Sequence, residues 1–155
     1  MKKRNIVISG VVLAGAIFAG GSLYASEDIA QYKKSNHQKT LHELGIEAKT
    51  KDLERMTTLT DEDGNKWIYN DFINSGKFEE KMKERYTEDV SGAFIEVQDK
   101  IMQKYAKEGD SIPVILLDEE LKEGSFSFNR EDGEVLIFKL KYNDDKGKWD
   151  YEQEK

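Results

Sequence analysis

The chain contains no cysteine, and this absence excludes several chemistries at once. Disulfide cross-links, thiol nucleophiles and cysteine–zinc centres all require that residue. A lipid attached through a cysteine is excluded for the same reason. The chain also holds only one proline and two histidines, so imidazole chemistry has few places to occur.

Long apolar runs are scarce, and the clearest one occupies residues 6–25. It follows Lys2, Lys3 and Arg4, and no charged residue occurs again until Glu27. A basic start, an apolar middle and then small residues are typical of an export signal, whose basic end stays on the cytoplasmic side. We therefore predict that residues 1–25 are a signal peptide or an N-terminal membrane anchor. The rest of the chain is expected to be extracytoplasmic, either secreted or anchored by residues 6–25.

The length of this run leaves cleavage and retention both open. It has 20 residues, and a helix of about 20 residues spans the hydrocarbon core of a bilayer. Gly20 and Gly21 weaken such a helix and leave a shorter apolar core. Cleavage after Gly21 would also place Ala19 and Gly21 at the two positions that need small residues. These features favour removal over retention.

The remaining chain is strongly acidic. The first 25 residues hold three of the 24 lysines and arginines and no acid, which leaves 21 basic against 31 acidic residues and a net charge of −10 for residues 26–155. This charge repels phosphate backbones and anionic lipid, so nucleic acid is a poor partner and the membrane is contacted only through the N-terminal segment. Solubility alone is the simpler explanation of this charge. Basic proteins, cations and neutral polymers are the candidate partners.

Residues 26–48 are predicted to form a helical stalk or a first helix, ahead of a single domain at residues 49–155. Ser26 is a suitable N-cap and Gly45 a suitable stop for this helix. Apolar residues are sparse within it, so its middle, residues 33–39, is expected to be solvated.

The start of the domain predicts a hairpin followed by a long helix. Residues 55–69 are rich in strand-forming residues on both sides of Asp63-Gly64, which favours a β-hairpin. Between residues 78 and 109 apolar residues recur every three or four positions, as on one face of an amphipathic helix. The mean step slightly exceeds 3.6, so this helix is expected to bend, or to break near Ser91-Gly92 with Thr87 as the cap of a second helix. The residues of the apolar face are Phe78, Met82, Tyr86, Val90, Phe94, Val97, Ile101 and Tyr105.

The C-terminal third predicts an antiparallel meander. Its expected strands are residues 111–118, 124–128, 135–142 and 149–151. The whole pattern predicts an α+β fold in which a long amphipathic helix packs on an antiparallel sheet. Cystatin-like, NTF2-like and PepSY-like domains resemble this outline, but a shared fold carries no function by itself. Segments 61–69 and 144–151 are alike in sequence, which common hairpin composition explains better than a duplication.

Motifs for metal binding are weak. His37 and His42 are five residues apart, whereas zinc-binding histidines on a helix are four apart. We predict that both are solvated and that the chain holds no metal and no cofactor. Asp61 and Asp63 resemble part of a calcium loop, but the other ligand positions fail. Weak cation binding by these two residues, or by the pair at residues 144 and 145, stays open.

Catalytic motifs are equally weak. Glu119, Glu120 and Asp99 are conceivable acid–base residues for sugar cleavage, but a chain with 31 acids contains such pairs by chance. A Ser–Lys pair cannot be recognised in a sequence, because its members meet only in space. We therefore expect a protein that is not an enzyme.

The leading hypothesis is a small acidic cell-envelope protein that binds another macromolecule without catalysis, as an inhibitor, immunity or accessory protein. The partner is expected to be a protein or a cell-wall component. Trp67, Tyr69, Trp149 and Tyr151 form the candidate binding surface if they share one exposed face; buried core is the alternative for strand aromatics. A small-ligand carrier with a helix–sheet pocket and an envelope hydrolase are the alternative functions.

Overall fold

Six strands form one antiparallel sheet, and each strand pairs with its neighbours in chain order. A computed structural model describes residues 36–155. The predicted signal or anchor at residues 1–25 and the first part of the predicted stalk lie outside the described residues. The helices are α1 at residues 36–43, α2 at Gly76–Arg85 and α3 at Glu88–Tyr105, with a short 3-10 helix at Thr50–Asp52. The strands are β1 at Thr57–Thr60, β2 at Lys66–Asp71, β3 at Val114–Leu117, β4 at Glu123–Asn129, β5 at Val135–Asn143 and β6 at Lys148–Gln153.

The three described helices and the antiparallel sheet confirm the α+β class. The predicted hairpin corresponds to β1 and β2, which pair from Thr57 with Tyr69 to Thr60 with Lys66. All four predicted C-terminal strands are present and pair in sequence. Pro113 directly precedes β3 and therefore removes no hydrogen bond from the strand itself.

The predicted long helix consists of two helices. The chain leaves the helical conformation at Tyr86 (φ −127°, ψ −150°) and Thr87 is extended at the N-cap of α3. The break therefore lies at residues 86–87 and not near Ser91-Gly92, which are inside α3. Tertiary contacts hold this corner, because the hydroxyl of Tyr86 donates a hydrogen bond of 2.6 Å to the carbonyl of Glu120.

α2 and α3 lie between β2 and β3 in the chain and cover one face of the sheet with the main core. Side chains of a strand alternate between faces, so Phe126, Phe138, Leu140 and Trp149 point into this core. It is buried throughout and includes Phe78, Met82, Phe94, Val97, Ile101, Ile115, Leu117 and Phe128. Within this cluster lie six of the eight residues predicted for the apolar helix face, while Tyr86 and Tyr105 pack at its margin.

α1 packs against the other face of the sheet, over β1 to β3, and forms a second core there. Leu41 and Ile46 meet Tyr69, Val114 and Leu116 in that core. The expectation that the middle of the first helix, residues 33–39, is solvated was wrong for His37, which is fully buried, whereas Lys39 is exposed. Thr40, just beyond that middle, is fully buried as well. Their polar groups are satisfied by distant strands: the Thr40 hydroxyl donates a hydrogen bond of 2.8 Å to the Oδ1 atom of Asn129.

His37 fixes α1 to the sheet through both ring nitrogens. Its Nε2 atom lies 2.8 Å from the carbonyl oxygen of Ile112, and its Nδ1 atom lies 2.6 Å from the hydroxyl of Tyr69. A carbonyl can only accept, so Nε2 carries a proton, and in the neutral imidazole Nδ1 accepts from the tyrosine hydroxyl. Burial raises the pKa of Tyr69 far above its ordinary value, which keeps that hydroxyl protonated.

Among residues 36–155 there is no helix with the length and apolarity needed to cross a membrane.

Candidate functional site

α1 packs over β1 to β3 and reaches the end of β4 at Asn129. Within residues 36–155, the remaining part of this face, formed by β4, β5 and β6, is an open groove. The groove has a volume of about 860 Å³. Its floor is made by side chains of β4 to β6 that point away from the main core, among them Ser125, Ile137 and Lys139. One wall is formed by the chain after α1, the β1–β2 turn and Trp67. We take this concave surface within residues 36–155 as the candidate site.

Charges on the floor alternate from strand to strand. Lys141 on β5 has Glu123 on one neighbouring strand and Asp150 on the other. Its Nζ atom lies 2.6 Å from the carboxylate of Glu123. Lys139 lies between Ser125 and Glu152 in the register, and its Nζ atom lies 2.9 Å from Glu154. Ammonium and carboxylate groups therefore alternate across the floor of the groove.

The position of Lys139 beside Ser125 is the arrangement that Ser–Lys catalysis would need. A lysine that acts as general base must lose its proton near neutral pH, so its pKa has to be lowered. Here the hydrogen bond to Glu154 and the charge of that carboxylate raise the pKa of Lys139. The pair therefore does not activate the serine hydroxyl.

Two carboxylates of the groove, Asp61 and Asp150, also lack the signature of a general acid. A carboxyl that donates a proton at neutral pH needs a raised pKa. The hydrogen bond from Lys148 lowers the pKa of Asp150, and hydrogen bonds from Trp67 and Asn65 lower the pKa of Asp61. Both groups are ionised at neutral pH and act as fixed negative charges.

Asp61 organises the wall of the groove. Its Oδ1 atom accepts hydrogen bonds from the backbone of Asp63 and Asn65, and its Oδ2 atom accepts from the Asn65 amide and, at 2.9 Å, from the indole N–H of Trp67. The backbone N–H of the next residue, Glu62, donates to the carbonyl of Gly45 at 2.9 Å. The turn is thereby fastened to the end of α1, and the indole ring is held at one orientation.

Four acidic side chains at the groove have no ion pair within residues 36–155. Glu43, Glu62 and Asp63 belong to the wall, and Glu152 belongs to β6 on the opposite side. They differ from Glu123 and Glu154, which are paired with the floor lysines. Negative charge therefore exceeds positive charge around the groove even after the internal pairs are formed.

The four aromatics predicted as a binding surface do not share a face. Trp149 is buried in the main core, where its indole N–H approaches the carbonyl of Val90 at 3.3 Å. The Tyr151 ring packs against Tyr105 and Phe138 on the same side of the sheet. Tyr69 is buried in the second core, on the opposite side. Of the four, only Trp67 is partly exposed and has its side chain at the groove wall. Segments 61–69 and 144–151 are alike in sequence, but their tryptophans lie on opposite faces of the sheet.

The other candidates from the sequence are distributed over the molecule. His42 is exposed on α1 and pairs with Glu47, whereas His37 is buried, so the expectation of a solvated histidine was wrong for His37. The carboxylate of Asp61 is occupied by N–H donors and Asp144 pairs with Lys122 at 2.6 Å. In the part of the chain that the structure describes, no three potential metal ligands of the His, Asp or Glu type come together.

Acidic residues considered for catalysis lie outside the groove. Glu120 accepts a hydrogen bond from Arg85 at 3.0 Å in the loop after β3, while Asp99 lies on α3. The sequence did not predict the groove itself. Its floor is formed by alternate residues of three strands and its wall by the first hairpin, and these segments are far apart in the chain. The alternation of lysine and acid on β5 and β6 was the available signal.

Comparison with protein-family models, with curated proteins and with solved structures finds no match for this chain. The geometry of the groove therefore carries the functional argument.

Proposed function

We propose that the protein acts outside the cytoplasm by binding another macromolecule through the groove, without catalysing a reaction. The observation that carries this proposal is the part of one sheet face that no described residue covers, which is concave, walled and rich in carboxylates, three of which (Glu43, Glu62 and Asp63) have no ion pair within residues 36–155. The export pattern at residues 1–25 supports the location. An inhibitor, immunity or accessory protein at the cell envelope fits this description.

A small-ligand carrier with a pocket between helix and sheet is the weaker alternative. The space where that pocket was expected is filled by Phe94, Ile101, Phe138 and Leu140, each at most 2% exposed. A ligand would have to displace this core, at a cost of several kcal/mol for each large side chain moved.

An envelope hydrolase is the second alternative. The groove contains a serine beside a lysine and several carboxylates, but the pKa directions of Lys139, Asp61 and Asp150 oppose general acid–base roles. The outline of cystatin-like, NTF2-like and PepSY-like domains stays a prediction about shape and favours none of the three functions.

Capture from a membrane and cell-wall extract of the source organism tests the proposal. Tagged protein is expected to retain a specific macromolecule, and the purified partner is expected to bind the purified protein again at a defined stoichiometry. A protein that recovers nothing above background under gentle conditions would contradict a binding function. Cleavage of wall material by the purified protein would favour the hydrolase instead.

A further inference from the structure

We propose that the docking of α1 on the sheet is a pH-sensitive switch, in which protonation of His37 favours release of the helix. α1 lies between residues 1–35 and the rest of the chain, and its C-terminal end forms part of the groove wall. Release of α1 loosens that wall and exposes the second core. The switch does not depend on what the groove binds.

His37 joins α1 to two separate parts of the sheet, and the residue has no exposed surface. Its Nδ1 atom lies 2.6 Å from the Tyr69 hydroxyl, and its Nε2 atom lies 2.8 Å from the carbonyl oxygen of Ile112. In the neutral imidazole Nε2 donates and Nδ1 accepts. Both nitrogens are therefore used when the ring carries one proton.

A second proton on this ring disrupts the arrangement. Nδ1 becomes a donor that faces the Tyr69 hydroxyl, and the hydroxyl proton loses its acceptor. Within residues 36–155 the Tyr69 hydroxyl makes no other hydrogen bond. The imidazolium is also a charge without access to water, which burial disfavours. In the released helix the same charge is hydrated, so protonation favours release.

Two carboxylates near Tyr69 act in the opposite direction. Asp71 on β2 and Glu54 ahead of β1 raise the pKa of Tyr69, but burial is the larger cause of that rise. Negative charge favours a protonated His37, whereas burial favours the neutral ring. Because burial is the larger cause at a hydroxyl only 2.6 Å from the ring, we expect burial to prevail at His37.

The other described charges on neighbouring elements are paired or exposed. Asp110, ahead of β3, is paired with Arg130, directly after β4, at 2.6 Å. The ionisable residues of α1 besides His37 are exposed: Lys39, His42 and Glu43. His42 is thus a matched control for His37, because it is a histidine of the same helix on the solvent side.

The size of the effect follows from proton linkage. A solvated histidine has a pKa of about 6.5. If His37 stays neutral while docked and titrates normally when released, the docking equilibrium falls about tenfold for each pH unit below that value. Between about pH 7.5 and about pH 5 the fall is about thirtyfold. The stabilising effect of the neutral ring is therefore complete above the ordinary pKa and is lost as the pH falls.

Amide hydrogen exchange of the full-length protein in a mild nonionic detergent measures the docking. Rates are read by mass spectrometry at about pH 7.5 and about pH 5 and corrected for the intrinsic effect of pH on exchange. The amides of α1 are expected to exchange faster than those of β4 and β5 at both pH values, because α1 opens without the rest of the domain. Their protection is expected to fall about thirtyfold in acid.

Two glutamine variants assign the effect to one histidine. His37→Gln keeps a donor and an acceptor but cannot titrate, so the loss of protection in acid is expected to disappear. His42→Gln is expected to show the same loss as the unmodified protein. A loss that persists in His37→Gln, unchanged α1 protection at the two pH values, or α1 amides that exchange only together with β4 and β5 would each overturn the proposal.

NMR titration of the His37 ring in the unmodified protein keeps the test decisive if His37→Gln does not fold. The ring of the docked protein is expected to stay neutral down to about pH 5. A ring that protonates at the ordinary pKa of histidine or above, with α1 still protected, would overturn the proposal.

Discussion

Replacement of Gly124 by alanine adds a single methyl group and is expected to destabilise the fold strongly. Gly124 lies in β4, opposite Leu117 on β3 and Leu140 on β5. A Cβ atom at this position would stand 1.9 Å from the carbonyl oxygen of Leu116 and 2.8 Å from its carbonyl carbon. The clashing atoms belong to the backbone of a central strand, so they cannot move aside by a change of rotamer as a side chain can.

The size of the effect follows from the displacement required. Real Cβ contacts are essentially never closer than 3.0 Å, so β3 and β4 have to separate locally by more than 1 Å. The two strands share four register pairs, and a shift of that size weakens the hydrogen bonds between them. We expect Gly124→Ala to lower the free energy of unfolding by about 3 kcal/mol, the upper end of the usual cost of overpacking.

Gly92→Ala is the matched control. Gly92 lies inside α3, and no atom stands within 4 Å of the position of its added Cβ. Alanine is favoured over glycine in a helix by up to about 1 kcal/mol, so this variant is expected to be more stable than the unmodified protein. Urea unfolding of the full chain in mild detergent, followed by the fluorescence of Trp149 and Trp67, measures both. The reasoning would be refuted if the free energy of unfolding of Gly124→Ala lay within about 1 kcal/mol of that of the unmodified protein.

Further predictions concern two carboxylates. Asp110 and Arg130 form an ion pair of 2.6 Å whose side chains are 2% and 13% exposed, so Arg130→Met should lower the free energy of unfolding by about 3 kcal/mol and Asp110→Asn by less. Burial raises the pKa of Asp110 in spite of Arg130. The folded protein therefore holds this proton more tightly than the unfolded chain, and the contribution of Asp110 to stability is greatest in acid and declines as the pH rises through its folded pKa. The loss of unfolding free energy caused by Arg130→Met should accordingly become smaller when urea unfolding is repeated from neutral pH toward about pH 4. A loss that stays constant over this range would contradict the argument from the burial of Asp110. Trp67→Phe removes the largest cause of the lowered pKa of Asp61, so NMR titration should show this carboxyl moving up toward its ordinary value, and an unchanged titration would argue against the indole hydrogen bond.

Local patterns predicted most of the elements of this fold. The alternation in residues 135–142 identified β5, and Asp63-Gly64 identified the first hairpin, where Gly64 has the positive φ of 85° that suits glycine. Apolar spacing identified the core residues of α2 and α3. These features depend on neighbours in the chain, so the sequence displays them directly.

Features that depend on distant partners were missed. The break between the two central helices is held by the contact of Tyr86 with Glu120, 34 residues away. His37 and Thr40 look like solvated helix residues until Tyr69 and Asn129 are brought against them. The groove belongs to the same class, because Trp67 and Glu152 become neighbours of one cavity only after six strands are ordered.

The strand order described above has a kinetic consequence. Short connections join β1 to β2 and each successive strand from β3 to β6, and loops of this size close in well under a microsecond. The pairing of β2 with β3 instead spans residues 72–113, which contain both central helices. Assembly of the sheet thus has one junction of high contact order, and we expect it to limit the refolding rate.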